Sequence, residues 1–259
     1  MAEALLEIDR LQKHFGGVVA TDQVTLALAR GEVHALIGPN GAGKTTLIAQ
    51  IDGSLAPDAG RIVFDGADIT ATSRHERVRT GLARSYQITS IFGKFSVQDN
   101  LALAVQARSG SSFAFWRAVA DEPMLRDEAL RVAADIGLAE RASTLAGELA
   151  HGEQRSLEVG LALATNPKLL LLDEPMAGMG PDESQRMIEL IGRVRQRATV
   201  LLVEHDMDVV FRLADRISVL VNGAIIATGT PDQIRGNAEV KRAYLGDEPG
   251  DETSYGALA

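Results

Sequence analysis

The sequence contains no cysteine among its 259 residues. Disulfide bonds, thiolate metal sites and cysteine nucleophiles are therefore excluded, and nothing in the composition indicates an oxidising compartment. Hydrophobic residues make up 46% of the chain, which is enough for one large α/β domain, or a domain with a sizeable subdomain, to fold without cross-links. The composition therefore predicts a cytoplasmic protein.

Long apolar runs are also lacking, since no stretch approaches the roughly 18 residues that indicate a membrane span. The opening residues carry acidic side chains and no basic segment followed by an apolar one, so we expect no secretory signal peptide. Any role at a membrane should therefore depend on partner proteins.

Positive charge is scarce as well. The 26 Lys and Arg residues are outnumbered by 35 Asp and Glu, which gives a net charge of −9. This balance argues against a broad nucleic-acid-binding face, and we expect no nucleic-acid partner. The residues Arg74, His75, Arg77 and Arg79 form a local basic cluster, for which a solvated helix face is the favoured interpretation.

The N-terminal part of the chain combines hairpin signals with a buried strand that enters a glycine-rich loop. The first thirty or so residues alternate in strand fashion, and the apolar run Val33–Ile37 leads into glycines. A helix is expected from about Lys44. Pro57–Gly60 and Asp65–Gly66 are typical of turns between strands. This part therefore predicts an antiparallel sheet joined to a phosphate-loop unit.

The rest of the chain predicts an inserted helical subdomain followed by a return to strands. The pattern is mainly helical over about 92–165, apart from the interruption Ser109–Ser112. Apolar runs then end in the polar residues Asp173 and His205, and α/β sheets place their chemistry at the carboxyl ends of strands. Asn222–Gly223 indicates a further hairpin. The acidic segment 246–259 contains proline and glycine, and we expect it to be mobile.

A phosphate-binding loop fits the pattern GxxxxGK[ST] between the buried strand and the first helix. Its backbone N–H groups would surround the phosphates of a nucleotide, Lys44 would neutralise their charge, and the Thr45 hydroxyl would ligate Mg²⁺. The loop consists of Gly38, Pro39, Asn40, Gly41, Ala42, Gly43, Lys44 and Thr45.

Polar residues at two later strand ends supply the remaining chemistry. Asp173 can bind Mg²⁺ or its water, while Glu174 can polarise an attacking water. His205 ends the next strand, where it could contact a γ-phosphate. Gln87 could offer an amide oxygen to the metal, although an exposed glutamine is the favoured interpretation from its local pattern. Phe15 could stack on a base, and a core aromatic fits its pattern equally well.

The segment Leu149–Gln154, LAHGEQ, is typical of a helix start near Gly152, with Glu153 in the first turn. The N–H groups of such a start could hold an anion. Ala150 and His151 precede it, where hydroxyls and glycines are more usual in a phosphate-binding turn.

Taken together, these residues resemble the ATP-binding-cassette (ABC) ATPases, from about Leu5 to Leu245. GPNGAGKT is similar to the Walker A motif, LLLLDE to Walker B, and LAHGEQ to the LSGGQ signature. The resemblance implies an α/β P-loop NTPase cassette with a mainly parallel core sheet, an N-terminal antiparallel β subdomain and an inserted helical subdomain. It places one ATP-binding domain over residues 1–245.

The resemblance also implies a role for each matching residue. Glu174 and His205 are catalytic, and Asp173, Thr45 and Gln87 are metal ligands. Phe15 stacks on adenine, and Thr46 and Gln87 join the Walker A residues in binding Mg-ATP. In the family, two cassettes close head to tail so that the signature motif of one covers the ATP of the other. The residues implied in that motif are Leu149, Ala150, His151, Gly152 and Glu153.

Three longer segments, residues 84–104, 149–179 and 203–220, resemble the ATPases of branched-chain amino acid importers. Within that group the chain resembles the longer of the two paired ATP-binding subunits. Such systems combine two membrane permease subunits, a sister ATPase or second copy, and a periplasmic solute-binding protein. The implied location is cytoplasmic, peripheral on the inner face of the cell membrane. A lipopolysaccharide-type exporter ATPase, a soluble non-transport ABC ATPase and a nucleotide-sensing module with little turnover remain alternatives.

Three departures from the family pattern bear on activity. Ala150 lacks the hydroxyl that the usual serine gives to the γ-phosphate, and a hydrogen bond to a charged group contributes about 1.5–3 kcal/mol. His151 replaces a glycine. The loop Ala177–Gly180 ends in glycine where the family usually has aspartate, so signalling across the dimer through that loop is in question.

Overall fold

The structure is a computed structural model that describes residues 4–85, 91–108 and 123–245. The chain divides into two compact units. One runs to Arg77 and resumes at Thr199, and the other is Val78–Ala198. Within the described ranges no helix is both long and apolar enough to cross a membrane.

The strands carry labels in chain order. They are β1 (Ala4–Phe15), β2 (Val18–Ala29), β3 (Val33–Ile37), β4 (Ala59–Phe64), β5 (Ala67–Asp68), β6 (Leu82–Ser85), β7 (Leu169–Asp173), β8 (Thr199–Val203), β9 (Arg216–Val221) and β10 (Ala224–Gly229).

The α-helices are labelled in the same way. They are α1 (Lys44–Asp52), α2 (Arg74–Thr80), α3 (Val97–Arg108), α4 (Pro123–Asp135), α5 (His151–Ala164), α6 (Pro181–Val194), α7 (Met207–Leu213), α8 (Pro231–Gly236) and α9 (Ala238–Leu245).

The first unit contains a four-stranded antiparallel sheet in the order β2-β1-β4-β5. Alternation places Leu6 and Ile8 of β1 in the core while Glu7 points to solvent, because successive side chains of a strand face opposite sides. The predicted hairpin at Asp65–Gly66 is confirmed, since both residues have positive φ, 51° and 76°. This sheet is the predicted antiparallel part of the fold.

A second group of strands in this unit has parallel pairing around β3. β3 pairs in parallel with both β8 and β9, while β9 and β10 are antiparallel. Every residue of β3 and β8 is buried, which explains why both strands are apolar apart from His34 and Thr199. The turn Asn222–Gly223 joins β9 to β10 with φ values of 48° and 81°, as the sequence predicts.

Arg77 corrects the interpretation of the basic cluster as a solvated helix face. Its side chain is 1% exposed. The guanidinium donates to the carbonyls of Gln50 at 2.7 Å and Ile51 at 2.8 Å, in the last turn of α1, and to the Thr70 carbonyl at 3.1 Å. Since the last carbonyls of a helix have no partner within it, Arg77 satisfies the C-terminal end of α1. Arg79 on the same helix is exposed, as expected.

The second unit is mainly helical around one parallel strand pair, β6 and β7. Helices α3, α4 and α5 contact one another, with Leu101, Val132 and Leu157 among their buried residues. Gly160 of α5 permits close packing, because a Cβ there would lie 2.6 Å from Ile136 Cδ1. The helical pattern is confirmed over the described part of 92–165, and Ser109–Ser112 lie outside the described residues.

Candidate nucleotide site

The loop between β3 and α1 requires glycine at its two ends. A Cβ on Gly38 would lie 2.0 Å from the Leu220 carbonyl oxygen. Gly43 has φ 105°, and a Cβ there would lie 2.1 Å from the Ala20 carbonyl oxygen. Both neighbours are backbone atoms, which cannot rotate away as a side chain can. The loop therefore reaches α1 on a path that only glycine permits at these positions.

Lys44 begins α1 and is 9% exposed. Its ammonium donates to the carbonyls of Gly38 at 2.6 Å and Pro39 at 3.0 Å, within its own loop. The first turn of α1 contains no acidic residue, so its N–H groups and Lys44 present positive potential together. This arrangement fits the phosphates of a nucleotide.

The hydroxyl residues after Lys44 are available to a ligand. Thr45 is exposed and Thr46 is half-buried. Within the described residues, no group of three or more His, Asp or Glu side chains is placed to hold a metal ion.

Phe15 ends β1 and is 51% exposed, so the alternative of a core aromatic is wrong. The Lys13 ammonium lies 5.7 Å from its ring centroid. An exposed ring at a strand end can stack on a base, and that role stays a prediction.

Asp173 and Glu174 follow each other at the end of β7 in different environments. Asp173 is 7% exposed, and its Oδ2 accepts a hydrogen bond of 2.9 Å from Arg84 Nη2. Glu174 is half-buried and has φ 49°, a left-handed conformation that is uncommon outside glycine and clusters at functional sites. The backbone thus turns sharply after Asp173, and the two carboxylates lie in different environments.

Arg84 is a residue of this site that sequence reasoning missed. It lies on β6, which pairs with β7 in a register that aligns Arg84 with Leu171. The available signal was an arginine in a short apolar run directly before Gln87. Gln87 itself lies outside the described residues, so its predicted contact with the metal stays a prediction.

His205 follows β8 with its side chain 66% exposed. Its Nδ1 lies 3.8 Å from Oε2 of Glu204, a side chain that is 1% exposed. Asp206 caps α7, because its Oδ1 accepts from the N–H groups of Asp208 at 3.0 Å and Val209 at 3.3 Å. The imidazole is therefore accessible at a strand end, while Asp206 has a structural role.

The LAHGEQ segment forms the start of α5, which begins at His151, one residue before the predicted start. Leu149 is buried, whereas Ala150 and His151 are exposed. Glu153 folds back so that Oε2 accepts from the Ala150 N–H at 3.0 Å. This is one half of a capping box, since alanine has no side-chain acceptor to complete the other half.

Glu183 on α6 is a second missed residue. Its Oε1 accepts from the Gly152 N–H at 3.1 Å, and its Oε2 accepts from the Gly180 N–H at 3.2 Å. These two backbone bonds, with smaller contributions from His151 and Arg186, hold the pKa of Glu183 below its ordinary value. Its position three residues after Gly180 is typical of a helix-capping glutamate and could be predicted from the sequence. The bond to Gly152 could not.

The family described as ABC transporter matches residues 21–177. The chain belongs to the ATP-binding-cassette transporter family. A second family, described as branched-chain amino acid ATP-binding cassette transporter, matches residues 224–249 of this ABC protein. It is therefore an ATP-binding, ATP-hydrolysing subunit of the branched-chain amino acid group, as the sequence predicts.

Curated relatives cover the full length of this ABC ATPase. It is 38% identical to the high-affinity branched-chain amino acid transport ATP-binding protein BraF of Pseudomonas aeruginosa, over 95% of this chain and 100% of the relative. It is 39% identical to the corresponding LivG protein of Escherichia coli, with the same coverage. A lipopolysaccharide export ATP-binding protein, LptB of Haemophilus influenzae, is 34% identical over 95% of this chain and 98% of the relative.

Solved structures agree with the predicted fold class. The ADP conformation of an ATP-binding cassette of an ABC transporter is similar with a TM-score of 0.84 and 30% identity, over 95% of this chain and 100% of that one. A nucleotide-free ATP-binding cassette is similar with a TM-score of 0.82, at the same identity and coverage. The α/β cassette is thus confirmed, and binding of ATP follows from the family.

Proposed function

We propose that this ABC ATPase powers the import of branched-chain amino acids, or of related small solutes, through separate membrane permeases. The observation that carries the proposal is full-length similarity to BraF and LivG, whose names state branched-chain amino acid transport. The match of residues 224–249 to a branched-chain family adds independent support from the C-terminal part of the chain.

The proposed assembly contains two permease subunits, a second ATPase that is either a sister subunit or a copy of this chain, and a periplasmic solute-binding protein. Its ATPases would lie on the cytoplasmic face of the membrane. We keep the domain organisation predicted above, with one ATP-binding domain over residues 1–245, its helical part at about 92–165, and the tail 246–259.

An apolar groove in the helical unit supports the permease contact. Phe92 and Phe95 are 59% and 45% exposed, and their ring centroids lie 5.5 Å apart. Leu145 is 41% exposed and lines, with Phe95 and Leu103, a groove of about 560 Å³. Exposed apolar surface rimmed by the polar Lys94 and Asp99 is typical of a protein-binding site. We propose that a permease helix occupies this groove.

The proposed mechanism assigns one task to each site residue. Lys44 and the first turn of α1 hold the β- and γ-phosphates, and Phe15 stacks on the adenine. Thr45, Asp173 and Gln87 would hold the magnesium ion that binds with ATP. That ion would neutralise phosphate charge. Electrostatics and positioning dominate phosphoryl transfer, so these contacts supply most of the rate.

The proton step is assigned to Glu174, which accepts a proton from the water that attacks the γ-phosphate, while the bond from the γ-phosphorus to the β–γ bridging oxygen breaks and ADP leaves. His205 contacts the γ-phosphate from the exposed end of β8. Gln87 links the nucleotide to the helical unit. The start of α5 covers the ATP of the second ATPase in the closed pair.

The test is Glu174→Gln in the assembled transporter. Glutamine keeps the size of the side chain but accepts no proton at neutral pH, so turnover should fall by at least about a hundredfold. ATP binding should persist, and the closed pair should accumulate. Glu140→Gln, an exposed residue of the short helix Ala139–Arg141, is the matched control. Near-normal hydrolysis by the Glu174 variant would refute the assignment.

A lipopolysaccharide-type export system is the second candidate, favoured by the 34% identity to LptB. Purifying the membrane complex that contains this chain and measuring uptake of labelled leucine into proteoliposomes separates the two. Import is supported if the purified complex contains a solute-binding protein and if it takes up leucine in an ATP-dependent way. Recovery with lipid-export partners instead would overturn it.

A further inference from the structure

The carboxylate of Glu183 joins two segments of the second unit that are far apart in sequence. Oε1 accepts from Gly152 at the start of α5, and Oε2 accepts from Gly180 before α6. The bond to Gly180 is an ordinary helix-cap contact, which an N3 glutamate makes in many helices. The bond to Gly152 is not needed for a cap, and it connects α6 to the LAHGEQ segment.

The packing around Gly152 shows how closely the two segments fit. A Cβ on Gly152 would lie 2.7 Å from Glu183 Oε1 and 2.9 Å from its Cδ. On the neighbouring loop, a Cβ on Gly178 would be 3.9 Å from Nε2 of His151. The glycine of the signature segment thus makes room for the carboxylate of its own chain.

Short backbone bonds connect Glu183 with the end of β7. The Ala177 N–H donates to the Glu174 carbonyl at 3.2 Å, and the Met179 N–H donates to the Met176 carbonyl at 3.1 Å. The Ser184 N–H then donates to the Gly180 carbonyl at 2.9 Å as α6 begins. Tight turns therefore follow the proposed general base as far as Met179, and α6 begins directly after the extended Gly180.

We propose that Glu183 is a positioning residue that fixes the signature start of α5 to the loop 174–180 within one chain. Gly180 has no side chain, and the Glu183 carboxylate links its N–H group to that of Gly152. In the closed pair, a phosphate seated on α5 would then be sensed by the segment that carries Glu174. This coupling rests on the proposed ATPase cycle, whereas the link itself does not.

Hydrogen–deuterium exchange on the full chain without nucleotide tests the link. Glu183→Gln keeps one acceptor oxygen for two N–H groups, and Glu183→Ala keeps none. We expect faster exchange at Gly152 and Gly180 in both variants, by roughly tenfold or more in Glu183→Ala, because a lost bond to a charged group has that effect on local opening. Asp182→Asn, an exposed charge in the same helical turn, should leave both amides unchanged. Unchanged exchange at Gly152 in Glu183→Ala would overturn the proposal.

Steady-state hydrolysis by the assembled transporter tests the coupling. Glu183→Ala should lower kcat by about tenfold to a hundredfold while KM for ATP stays within about twofold, and Glu183→Gln should fall between it and the wild type. Asp182→Asn should match the wild type. Faster exchange with an unchanged kcat would refute the coupling. Absence of hydrolysis in the wild type would refute the proposed function instead, and the exchange result would still decide the link.

Discussion

Helices α1 and α5 both begin at a glycine-containing turn, yet their first turns are prepared for anions in opposite ways. At α1, the cation Lys44 lies against the carbonyls of Gly38 and Pro39, and no acidic residue is near in sequence. At α5, two N–H groups already donate to the carboxylates of Glu153 and Glu183. The first turn of α1 thus contains a cation, whereas the start of α5 is bonded to two carboxylates, one from α5 and one from α6.

The difference teaches that a helix N-terminus alone does not define a phosphate site. Both ends have the same partial positive charge, which the macrodipole provides. What distinguishes them is which backbone donors the protein uses for itself. His151 is exposed beside the two bonded donors of α5. A phosphate that binds there, as proposed, would meet a turn in which some N–H groups already have acceptors.

Removing the Lys44 cation from α1 should have the largest effect, which is a loss of ATP affinity. In the proposed mechanism the Lys44 ammonium donates to the β- and γ-phosphates, so Lys44→Ala should lose two hydrogen bonds of about 1.5–3 kcal/mol each, and ATP binding should weaken by roughly a hundredfold or more. Isothermal titration with ATP measures the change. Lys94→Ala, an exposed lysine, is the control and should bind normally. Equal affinity in the two variants would contradict the site.

Removing the support at the other end of α1 should have the next largest effect. Arg77→Leu leaves several buried carbonyls without their donor, and we expect the free energy of unfolding to fall by about 3–5 kcal/mol. Urea unfolding measures it. The exposed Arg79→Leu on the same helix should change stability by less than about 0.5 kcal/mol. A similar small change in both would show that α1 does not depend on Arg77.

Adding a methyl group to each turn compares their tolerance directly. Gly43→Ala meets a backbone oxygen at 2.1 Å with φ at 105°, whereas Gly152→Ala meets the end of a flexible side chain at 2.7 Å. We expect about 3 kcal/mol of destabilisation for the first and about 1 kcal/mol for the second. Thermal unfolding of both variants checks the order. The reverse order would refute the geometric argument.

A hydroxyl can be restored to α5 by Ala150→Ser. Serine can accept from the Glu153 N–H and complete the capping box, which should raise stability by about 0.5–2 kcal/mol. ATP-driven association should be unchanged or tighter. Ala134→Ser, an exposed position within α4, offers no cap and serves as the control. Weaker association in Ala150→Ser would show that this helix start binds its anion differently.

Acid should weaken the hydrogen bonds that the Glu183 carboxylate of α6 accepts from Gly152 and Gly180. The pKa of Glu183 lies below its ordinary value of 4.5, so its stabilising contribution is present above that pH and is lost as pH falls through the lowered pKa. The wild type should therefore lose more stability on acidification than Glu183→Gln. Unfolding curves at pH values from neutral to acidic test this small difference, and parallel curves would contradict it.

The P-loop shows what can be predicted from sequence. Gly38, Gly43 and Lys44 lie within one short segment where a buried strand leads into a helix. The phosphate loop is recognisable because its structure depends on local backbone geometry. The same holds for the hairpin at Asn222–Gly223 and the strand end at Asp173. In each case the residues that determine the structure are neighbours along the chain.

Arg77, Arg84 and Glu183 show where sequence reasoning stops. Arg77 belongs to a run of charges that reads as a solvated face, and only its burial against the end of α1 reveals its role. Arg84 and Asp173 are 89 positions apart, and Gly152 and Glu183 are 31 apart. Charge and spacing along the sequence do not indicate which distant residues will form a hydrogen bond.

The sequence by itself determined the family, the phosphate loop, the hairpins, the helical insert, and the unusual Ala150 and His151. It could do so because hydrophobic periodicity and turn chemistry act between near neighbours. Only the tertiary structure decided three features. Arg84 donates a hydrogen bond to Asp173, Arg77 is buried, and Glu183 accepts a hydrogen bond from the Gly152 N–H. A hydrogen bond between distant segments depends on how whole elements pack, since a few ångströms separate a bonded pair from an unpaired one.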